Sequence, residues 1–584
     1  MLAALQIAGL IAKVTIPSLA ALQGAIVIVS LAWTFRKRPR ASPRQDFADA
    51  AATLPRFLLV SIAILACSYL LFAADEFTSF PNGSDAVAYH LPLAVHWLQT
   101  GSLAIPATRA WRFSLPGNAE IGMMVMLATG SESSVVLVNW LALAALMIAI
   151  FLLGRRMNRG NYITSVTVVL LMLTIPIIEF QTLSAYVDLY GTAFLMAALA
   201  LFLNYERSGN YSSARAGAQQ SSTTVLFLSA AACGISMGTK PTFYLYSAGY
   251  FAFVLFSLWK EHRGERKTAF IKSVPLIVCG LLIPSVFWFG RSLEQTRNPI
   301  FPMKMTVGKH VFLPGYSPSE ITDPNFDLGF VRNRLEWLVY PWTEWKRNRG
   351  YILIPYGEGS GLGAAFASFV PIGIAFLLYR CCAQRCRSRG EVSLLLALAV
   401  LGLAWWFVLH RVPRFGLPIV VLACVASVSF IGMLHSSGQR LFPALFVATI
   451  IATTAISTFV PVHLLLGRKR THHWARAQFY SYPPLLDRLP PGACVLNDTG
   501  QEDENFALAG NTLRNCVVPA FEVPNKLTPD FLREHNISFV VETVPSGGKG
   551  FQQIDPSTMS LIETDQVLSG ETKVRWLVWK VGKP

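Results

Sequence analysis

The stretch Phe57 to Ala74, FLLVSIAILACSYLLFAA, contains no charged side chain and decides the fold class. An α-helix needs roughly 17 to 25 predominantly apolar residues to cross a bilayer, and this stretch is long enough. Windows with almost no charge recur along the chain: Val135 to Leu153, Ala185 to Leu203, Val274 to Phe289, Leu394 to Leu409 and Leu417 to Leu434. Their number predicts membrane-spanning helices rather than the buried helices of a soluble core.

The composition and the distribution of charge agree with a membrane protein. Of the 584 residues, 53% are hydrophobic and 14% are charged, and the mean hydropathy is +0.45. The net charge of +16 comes largely from basic runs between the apolar windows: Arg36 to Arg44, Arg155 to Arg159, Lys260 to Lys267 and Arg380 to Arg389. These runs fall in alternate connections, as expected of cytoplasmic loops. The charge therefore sets the topology, and we expect no nucleic-acid partner.

The basic connections fix the sidedness of the rest of the chain. We predict about twelve membrane-spanning helices, at roughly residues 15–35, 55–73, 134–154, 162–178, 184–204, 222–239, 243–259, 271–289, 361–379, 392–410, 416–434 and 440–462. Both termini are then outside, with long exterior loops at about 74–133 and 291–360. In the first loop, Val87 to Gln99 and Ala119 to Leu127 are apolar enough to form helices on the membrane surface.

The last part of the chain differs in character. Strand-like runs at Ala493 to Leu496, Ile537 to Val541 and Val574 to Trp579 alternate with helix-capable stretches such as Pro529 to Glu534. We therefore expect an all-α polytopic membrane domain over residues 1–465 and a small exterior α/β domain over residues 466–584. Cys494 and Cys516 both fall in the latter, where a disulfide and two free thiols are equally open.

Polar residues at the exterior face are the candidates for function, since charged groups near lipid are costly. The densest group comprises Asp75-Glu76, Ser84-Asp85, Tyr89-His90 and His96. On a helix, Asp85, Tyr89 and His96 share one stripe, and Pro92 introduces a kink. Such a carboxylate suits a general base that takes a proton from an acceptor hydroxyl, although Asp85 could equally cap the helix beside interfacial aromatic residues.

Three further groups reach the same face in this topology. Asp188 lies about one turn inside a predicted span, Lys240 lies in a hairpin between two spans, and Arg291 ends another span. Two cations could hold a lipid phosphate while a carboxylate acts on the nucleophile. The alternatives are snorkelling for both cations and an inter-helix hydrogen bond for Asp188.

The segment from Asp85 to Leu103, with Tyr89-His90-Leu91-Pro92, His96-Trp97-Leu98-Gln99 and Gly101-Ser102-Leu103, resembles the first exterior loop of bacterial GT-C superfamily glycosyltransferases. That group is related to protein O-mannosyltransferases and aminoarabinose transferases. Shorter supporting pieces are Tyr186-Val187-Asp188, Gly238-Thr239-Lys240, Asn298-Pro299-Ile300-Phe301-Pro302 and Gly510 to Asn515.

The resemblance implies a GT-C-like membrane fold and an inverting transfer of a sugar from a polyprenyl-phosphate donor. It implies an essential acid in the first exterior loop, for which we favour Asp85; Asp75 and Glu76 are the alternatives, because many relatives carry an adjacent Asp-Glu pair. Tyr89, His90 and His96 would support it, and Lys240 and Arg291 would bind the donor phosphate. Asp188 would hold a divalent cation, Mg²⁺ or Mn²⁺, or orient a cationic partner, while Arg109 and Arg112 are weaker phosphate candidates.

We therefore expect a multi-pass inner-membrane glycosyltransferase with its C-terminal domain on the periplasmic side. Its partners would be a polyprenyl-phosphate sugar, membrane lipid and an acceptor glycan, lipid or protein. A transporter or flippase of lipid-linked glycans is the main alternative. It predicts charged or Gly/Pro-broken helices at the bilayer midplane and inverted halves, whereas the polar residues of this sequence gather at one face and no internal repeat is found. A polymerase or ligase of lipid-linked glycans shares the architecture.

Overall fold

The computed structural model describes most of the chain between residues 54 and 582. The ranges outside the description are 1–53, 78, 82, 107–110, 159–160, 210–215, 262–266, 317–333, 348–360, 384–388, 407–411, 437–440, 469–475, 500–503, 520–526, 546–558, 570–571 and 583–584. The predicted first span at roughly 15–35 and the candidate Arg109 lie outside the described residues.

Helices dominate the described residues up to Arg468. In chain order they are α1 (Arg56–Phe77), α2 (Leu91–Thr100), α3 (Asn118–Leu127), α4 (Leu137–Met157), α5 (Tyr162–Leu173), α6 (Pro176–Thr182), α7 (Asp188–Gly209), α8 (Ala216–Met237), α9 (Thr242–Glu261), α10 (Lys267–Leu282), α11 (Val286–Thr296), α12 (Tyr340–Arg347), α13 (Gly363–Cys382), α14 (Arg389–Ala404), α15 (Leu417–Ala426), α16 (Val428–Ser436) and α17 (Leu441–Arg468). Two short helices follow, α18 (Arg476–Phe479) and α19 (Pro529–Glu534).

Five helical stretches in the described residues are long and apolar enough to cross a membrane, or up to seven if each of two bent helix pairs counts as one span. The five are Arg56–Ala74, Ser133–Met157, Thr242–Lys260, Gly363–Cys382 and Pro413–His435. The chain is therefore a multi-pass membrane protein. The predicted count of about twelve spans is not confirmed, because the described residues contain five to seven candidate spans.

Two predicted spans are broken by prolines. The axes of α5 and α6 differ by 74°, and those of α11 and the residues 273–282 of α10 differ by 60°. Pro176 and Pro284 lie at these breaks; proline lacks an N–H and restricts the residue before it, so a helix ends there. The second half of each pair leads to a candidate residue, since Asp188 follows α6 and Arg291 belongs to α11.

The first exterior loop forms an apolar core of its own. A π-helical segment, Ala86–His90, runs into α2, and α3 packs against α2. Leu91, Trp97 and Ile121 are buried in this core together with Phe506 from the C-terminal region. The two predicted short helices are confirmed, and their apolar faces pack against protein; their position on the membrane surface stays a prediction.

The second exterior loop begins with a turn and a short hairpin. Strands β1 (Met305–Val307) and β2 (His310–Leu313) pair antiparallel. Before them, the Asn298 side chain donates through Nδ2 to the carbonyls of Met303 and Pro314, at 2.8 Å and 2.7 Å. Asn298 therefore closes the turn that follows α11.

The C-terminal region, residues 476–582, contains a five-stranded mixed sheet. Its strands are β3 (Cys494–Asn497), β4 (Cys516–Val518), β5 (Ile537–Pro545), β6 (Met559–Ser569) and β7 (Thr572–Val581), in the order β4-β3-β5-β7-β6. β3 is parallel to β4 and β5, and β7 is antiparallel to β5 and β6. Cys494 and Cys516 are direct neighbours across β3 and β4 and form a disulfide. The expected α/β character is confirmed.

Candidate active site

Four charged side chains from four separate segments meet at one site. Asp85 precedes the π-helical segment, Asp188 begins α7, Lys240 lies between α8 and α9, and Arg414 precedes α15. The Asp85 Oδ2 atom is 2.6 Å from Arg414 Nη2 and 3.7 Å from Lys240 Nζ. Asp188 is 3.3 Å from Lys240 Nζ through Oδ1 and 3.9 Å from Arg414 Nε through Oδ2. We call these four residues the ion cluster.

Burial makes the ion cluster costly to maintain. The exposed fraction of the side chain is 16% for Asp85, 2% for Asp188 and 7% for both Lys240 and Arg414. Removing charges from water carries a penalty that pairing offsets only in part, so a buried ion group is weak evidence for a purely stabilising role. Ionisable groups gathered at the edge of a membrane domain are therefore candidates for function.

Asp85 does not cap the helix, contrary to the alternative that the sequence left open. Its backbone is already helical (φ −57°, ψ −36°), and its side chain makes no capping hydrogen bond. Instead its Oδ2 atom accepts a 2.9 Å hydrogen bond from the Tyr89 hydroxyl, one helical turn later. Asp85 and Tyr89 therefore lie on the same face of this helical segment.

Tyr186 and Gly83 fit closely beside Asp85. The Tyr186 hydroxyl accepts a 3.4 Å hydrogen bond from the Asp85 N–H, and its ring lies 4.8 Å from the Arg414 guanidinium carbon. Gly83 has φ +102°, and a Cβ atom there would lie 2.7 Å from Tyr186 Cε2. Only glycine suits both this backbone conformation and this approach.

The turn before Asp188 is held by one buried amide. Asn139 on α4 donates through Nδ2 to the carbonyls of Gln181, Ser184 and Tyr186, at 2.9 Å, 2.7 Å and 2.6 Å. The segment between α6 and α7 therefore has a fixed path, and this path places Asp188 at the first position of α7.

Lys240 is positioned by a close contact between α3 and the end of α8. The Asn118 N–H donates to the Gly238 carbonyl at 3.0 Å, and a Cβ atom on Gly238 would lie 2.4 Å from Asn118 Nδ2. Lys240 then reaches the ion cluster with its Nζ atom 5.0 Å from the centre of the Phe415 ring. A lysine that only snorkelled to water would be exposed, whereas this ammonium group is buried between carboxylates.

Arg414 is the member of the ion cluster that sequence reasoning missed. It lies in a short 3₁₀ turn, Pro413–Gly416, directly before the apolar helix α15. The sequence contained a signal for Arg414, because the residue lies in the hairpin between the predicted spans 392–410 and 416–434, which the predicted topology puts at the exterior face. A cation beside a span is so common, however, that this position did not stand out.

Two cations set the protonation of Asp85. Burial alone would raise the pKa of its carboxyl group, but Arg414, Lys240, His90 and the Tyr89 hydrogen bond outweigh burial and hold that pKa below its usual range. Burial, followed by the charge of Asp85, raises the pKa of Tyr89 well above its usual value. In the free protein Asp85 is therefore an ionised carboxylate and Tyr89 a neutral hydrogen-bond donor.

Arg291 has other partners. Its guanidinium donates to the carbonyls of Leu103, Ser114 and Leu115 at 2.7 to 3.0 Å, and it lies 4.6 Å from the centre of the Trp288 ring. Within the described residues no ion pair joins it to Asp85 or Asp188. The sequence predicted that Asp85, Asp188, Lys240 and Arg291 lie at one face, and the structure places the first three together. Arg291 instead binds backbone carbonyls of the predicted first exterior loop.

The remaining candidates surround the ion cluster. The buried His90 lies next to Tyr89, and its Nδ1 atom is 2.6 Å from Glu120 Oε1. His96 instead lines a small cavity with Pro106, Asn505 and Asn515, and burial lowers its pKa to about 4. The π-helical segment shifts the register after residue 90, so the predicted stripe does not continue to His96.

Two further groups remain in the same loop. Glu76 is buried at the end of α1, while nothing is described of the Asp75 side chain. The guanidinium carbon of Arg112 lies 5.7 Å from the centre of the Tyr89 ring. Neither Glu76 nor Arg112 belongs to the ion cluster as defined above.

A divalent cation would have to compete with the two basic residues. Within the described residues, no three or more His, Cys, Asp or Glu side chains are grouped so as to hold a metal ion. The two carboxylates of the ion cluster, which the sequence suggested for a cation, are held by Lys240 and Arg414. Both carboxylates are therefore paired with basic residues here, and the divalent cation stays a prediction.

Comparison with known proteins bears on the fold. No protein-family model and no curated protein sequence matches the chain. Among solved structures, ArnT from Cupriavidus metallidurans in the apo state is similar at a TM-score of 0.54 and 13% identity, over 88% of this chain and 97% of that one. The oligosaccharyltransferase AglB from Archaeoglobus fulgidus, in complex with an inhibitory peptide and a dolichol-phosphate, matches at a TM-score of 0.44 and 11% identity, over 82% and 69%. The similarity to ArnT extends over nearly the whole of both chains, and the protein therefore has the GT-C fold.

Proposed function

We propose that the protein is a membrane glycosyltransferase that moves a sugar from a polyprenyl-phosphate donor to an acceptor hydroxyl at the outer face of the membrane. The observation that carries the proposal is the ion cluster, in which two cations and two carboxylates from four segments meet under one exterior loop. The GT-C fold and the resemblance of the segment from Asp85 to Leu103 support the donor class.

The reaction is a single displacement with inversion at the anomeric carbon. The acceptor oxygen forms a bond to that carbon, while the bond from the carbon to the phosphate oxygen breaks and its electron pair leaves with the lipid phosphate. The acceptor proton passes to Asp85. Lys240 and Arg414 stabilise the phosphate, whose negative charge grows as it leaves. The lipid phosphate that is released is the lipid phosphate of the donor, so only the sugar and one proton are transferred.

Binding of the donor also changes Asp85. In the free protein Arg414 and Lys240 lower the pKa of its carboxyl group, which makes it a weak base. A phosphate that enters between the two cations takes over part of their hydrogen bonding, and the pKa of Asp85 rises toward its ordinary value. The carboxylate thus becomes a stronger base when the donor is in place.

The other assignments follow from this arrangement. Tyr89 keeps Asp85 oriented through its hydrogen bond, and Asp188 holds the Lys240 ammonium group. Glu76 and Asp75 remain the alternative acids in the same loop. No step is assigned to a divalent cation. Residues 1–465 form the membrane domain of an inner-membrane enzyme, and residues 466–584 form its periplasmic domain. The acceptor is a glycan, a lipid or a protein.

The test begins with the purified full-length protein in native lipids. Mass spectrometry of the co-purified lipids is expected to detect an isoprenoid phosphate or its sugar conjugate. The protein is then incubated with undecaprenyl-phosphate-linked mannose, glucose, galactose and aminoarabinose in the presence of membrane extract as acceptor source. Release of undecaprenyl phosphate together with labelled acceptor from at least one donor supports the proposal. No release from any donor and no co-purified isoprenoid phosphate would refute it.

Paired variants separate chemistry from folding. Asp85→Asn is expected to abolish transfer while the protein remains folded in the membrane. Asp530→Asn is the matched control, because Asp530 lies in the C-terminal region with its side chain 88% exposed. Full activity of Asp85→Asn would remove Asp85 as the base and move the search to Glu76 and Asp75.

A further inference from the structure

The helical stretch that carries Asp85 and Tyr89 contains a proline, Pro92, two residues beyond His90. The Leu91 N–H donates to the carbonyl of Ala86, five residues earlier, which is the π-helical pattern. Pro92 has no N–H. It can supply neither the π-helical bond to the carbonyl of Val87 nor the α-helical bond to the carbonyl of Ala88.

The C-terminal region supplies donors to both of these carbonyls. The Phe506 N–H donates to the Val87 carbonyl at 3.1 Å, and the Asn505 Nδ2 atom donates to the Ala88 carbonyl at 3.0 Å. All four residues are buried, with Asn505 1% exposed. Buried backbone carbonyls need a hydrogen-bond partner. The partner of the Ala88 carbonyl is Asn505, which lies 417 positions later in the chain.

The Asn505 side chain is held in the orientation that makes this bond. Its Oδ1 atom accepts a 2.9 Å hydrogen bond from Asn497 Nδ2. The Asn497 Oδ1 atom in turn accepts hydrogen bonds from the N–H and the hydroxyl of Thr499. Since the amide oxygen of Asn505 is occupied by a donor on β3, its NH₂ group faces Ala88.

A buried arginine ties the same turn to the membrane domain. Arg476 donates to the carbonyls of Phe506 and Ala507 at 2.6 Å each, and its Nε atom is 2.9 Å from Glu132 Oε1. Glu132 directly precedes the helical stretch Ser133–Met157, one of the five candidate spans. The turn at 505–507 is thus anchored on one side to a span and on the other to the segment that carries Asp85.

We propose that the C-terminal region completes the active site, and that Asn505 is a positioning residue for Asp85 and Tyr89. The inference rests on the proposed function. Val87 and Ala88 lie between Asp85 and Tyr89 in sequence, so the two hydrogen bonds fix the one turn that joins the carboxylate to its tyrosine. Displacing a reacting group by about 1 Å can lower a rate on the order of 100-fold.

The experiment uses the full-length protein in nanodiscs and compares Asn505→Ala, Asn505→Asp and the control Asn511→Ala. Asn511 is exposed, and its backbone N–H donates to Asp487 Oδ1; within the described part of the chain its side chain makes no hydrogen bond. We expect kcat to fall about 10- to 100-fold in Asn505→Ala with the donor KM within about threefold of the parent value. Asn505→Asp should lose at least as much, because an ionised carboxylate cannot donate to Ala88. Parent-like kcat in Asn505→Ala would overturn the inference.

A second variant tests the mechanism of the effect. Pro92→Ala restores an N–H at the position that the helix lacks. In the double variant Pro92→Ala/Asn505→Ala, a helix donor can serve the free carbonyl, and we expect at least a threefold recovery of kcat over Asn505→Ala. A mere loss of stability in the C-terminal region would not be repaired from α2, so no recovery in a folded double variant overturns the assignment.

Hydrogen exchange separates this inference from the proposed function. Amides of residues 86–93 should exchange at least tenfold faster in Asn505→Ala than in the parent or in Asn511→Ala. This expectation does not depend on whether the protein transfers sugar. If the parent transfers no sugar but this exchange increases, the proposed function fails and the docking of the helix stands. If the parent is active and neither exchange nor kcat changes, the proposed function stands and the positioning role fails.

Discussion

Arg414 Nη2 lies 2.6 Å from Asp85 Oδ2, although 329 positions separate the two residues in the chain. The contact joins the first exterior loop to the turn before α15, and both side chains are largely buried. Since Asp85 also meets Lys240, one carboxylate links three segments of the protein. The reactivity of Asp85 therefore depends on residues that its own loop does not contain.

Arg414→Ala should lower kcat/KM for sugar transfer on the order of 100- to 1,000-fold, the range seen when one preorganised electrostatic donor is removed from a site. The guanidinium would no longer stabilise the leaving phosphate, and Asp85 would lose its shortest contact. Initial rates with an undecaprenyl-phosphate-linked sugar measure the effect. The exposed Arg533 offers a matched control as Arg533→Ala. A loss below threefold in Arg414→Ala would count against its place in the site.

The pH dependence of transfer should move in a defined direction when Arg414 is replaced. Burial raises the pKa of Asp85, but Arg414 and Lys240 more than offset it, so the carboxyl group is ionised down to low pH. Arg414→Gln removes the larger of these two effects, and the pKa of Asp85 rises. The acid limb of the kcat/KM profile, measured from pH 4 to 8, should shift to higher pH. An unshifted limb would mean that another group titrates.

The same sign governs stability. A carboxyl group whose pKa is lower in the folded than in the unfolded protein contributes stability above the unfolded value, about pH 4. That contribution is lost as the pH falls through the lower, folded value. Replacing Arg414 removes that contribution, so Arg414→Gln should be less stable than the parent near pH 6, and its stability should fall less as the pH is lowered. Thermal unfolding of the parent and of Arg414→Gln between pH 3 and 6 measures both effects.

Removing one partner of the buried pair Asp188–Lys240 should destabilise more than removing both. Asp188→Asn leaves a buried ammonium group short of countercharge, at a cost of roughly 3 to 5 kcal/mol by analogy with other buried pairs. The double variant Asp188→Asn/Lys240→Met should recover at least half of the lost thermal stability while remaining inactive in transfer. Additive losses in the double variant would show that the two side chains do not interact.

The sequence indicated Asp85, Asp188 and Lys240 because a charged residue beside an apolar window is conspicuous. It did not indicate Arg414, since one cation near a span resembles any topogenic or snorkelling cation. It also assigned Arg291 to the same face, but backbone carbonyls of the first exterior loop bind that guanidinium. Every residue has a backbone carbonyl, so the pattern of side chains in the sequence could not predict that carbonyls would bind Arg291.

The span count shows a similar limit. Hydropathy correctly located apolar helices, and proline positions explain why two predicted spans bend by 74° and 60°. Whether a bent pair crosses once or turns back depends on packing against distant helices. Pro92 was likewise visible as a kink, whereas its compensation by Asn505 depends on a contact between residues 417 positions apart.

Gly83→Ala should impair transfer through geometry alone. Its φ of +102° disfavours any side chain, and the added methyl group would lie 2.7 Å from the Tyr186 ring that contacts Asp85 and Arg414. We expect at least a tenfold loss of kcat with the protein still folded. Gly402→Ala is the control, because a Cβ atom there meets nothing within 4 Å. Equal activities of the two variants would show that Tyr186 can move freely.

The sheet of the C-terminal region contains a pair of carboxyl groups with its own pH signature. Burial, with a smaller contribution from Asp498, raises the pKa of Glu542 to about 7, and burial raises that of Asp498 to about 6. The folded protein therefore binds more protons than the unfolded chain between about pH 4 and 7, and stability falls as the pH rises through this window. Glu542→Gln should flatten that decline in thermal unfolding scans, while the exposed Glu534→Gln should preserve it.

The disulfide of the C-terminal region has a consequence for how a newly made copy matures. Cys494 and Cys516 close a ring of chain around the stretch that contains Asn505 and Phe506, the two residues that donate to the carbonyls of Ala88 and Val87. Until those sulfurs join, the ring has no covalent closure, and the segment that must reach Val87 and Ala88 is less restrained. Oxidation occurs outside the reducing cytosol, so under the proposed topology a freshly inserted copy would acquire its finished catalytic centre only after its tail had been exported.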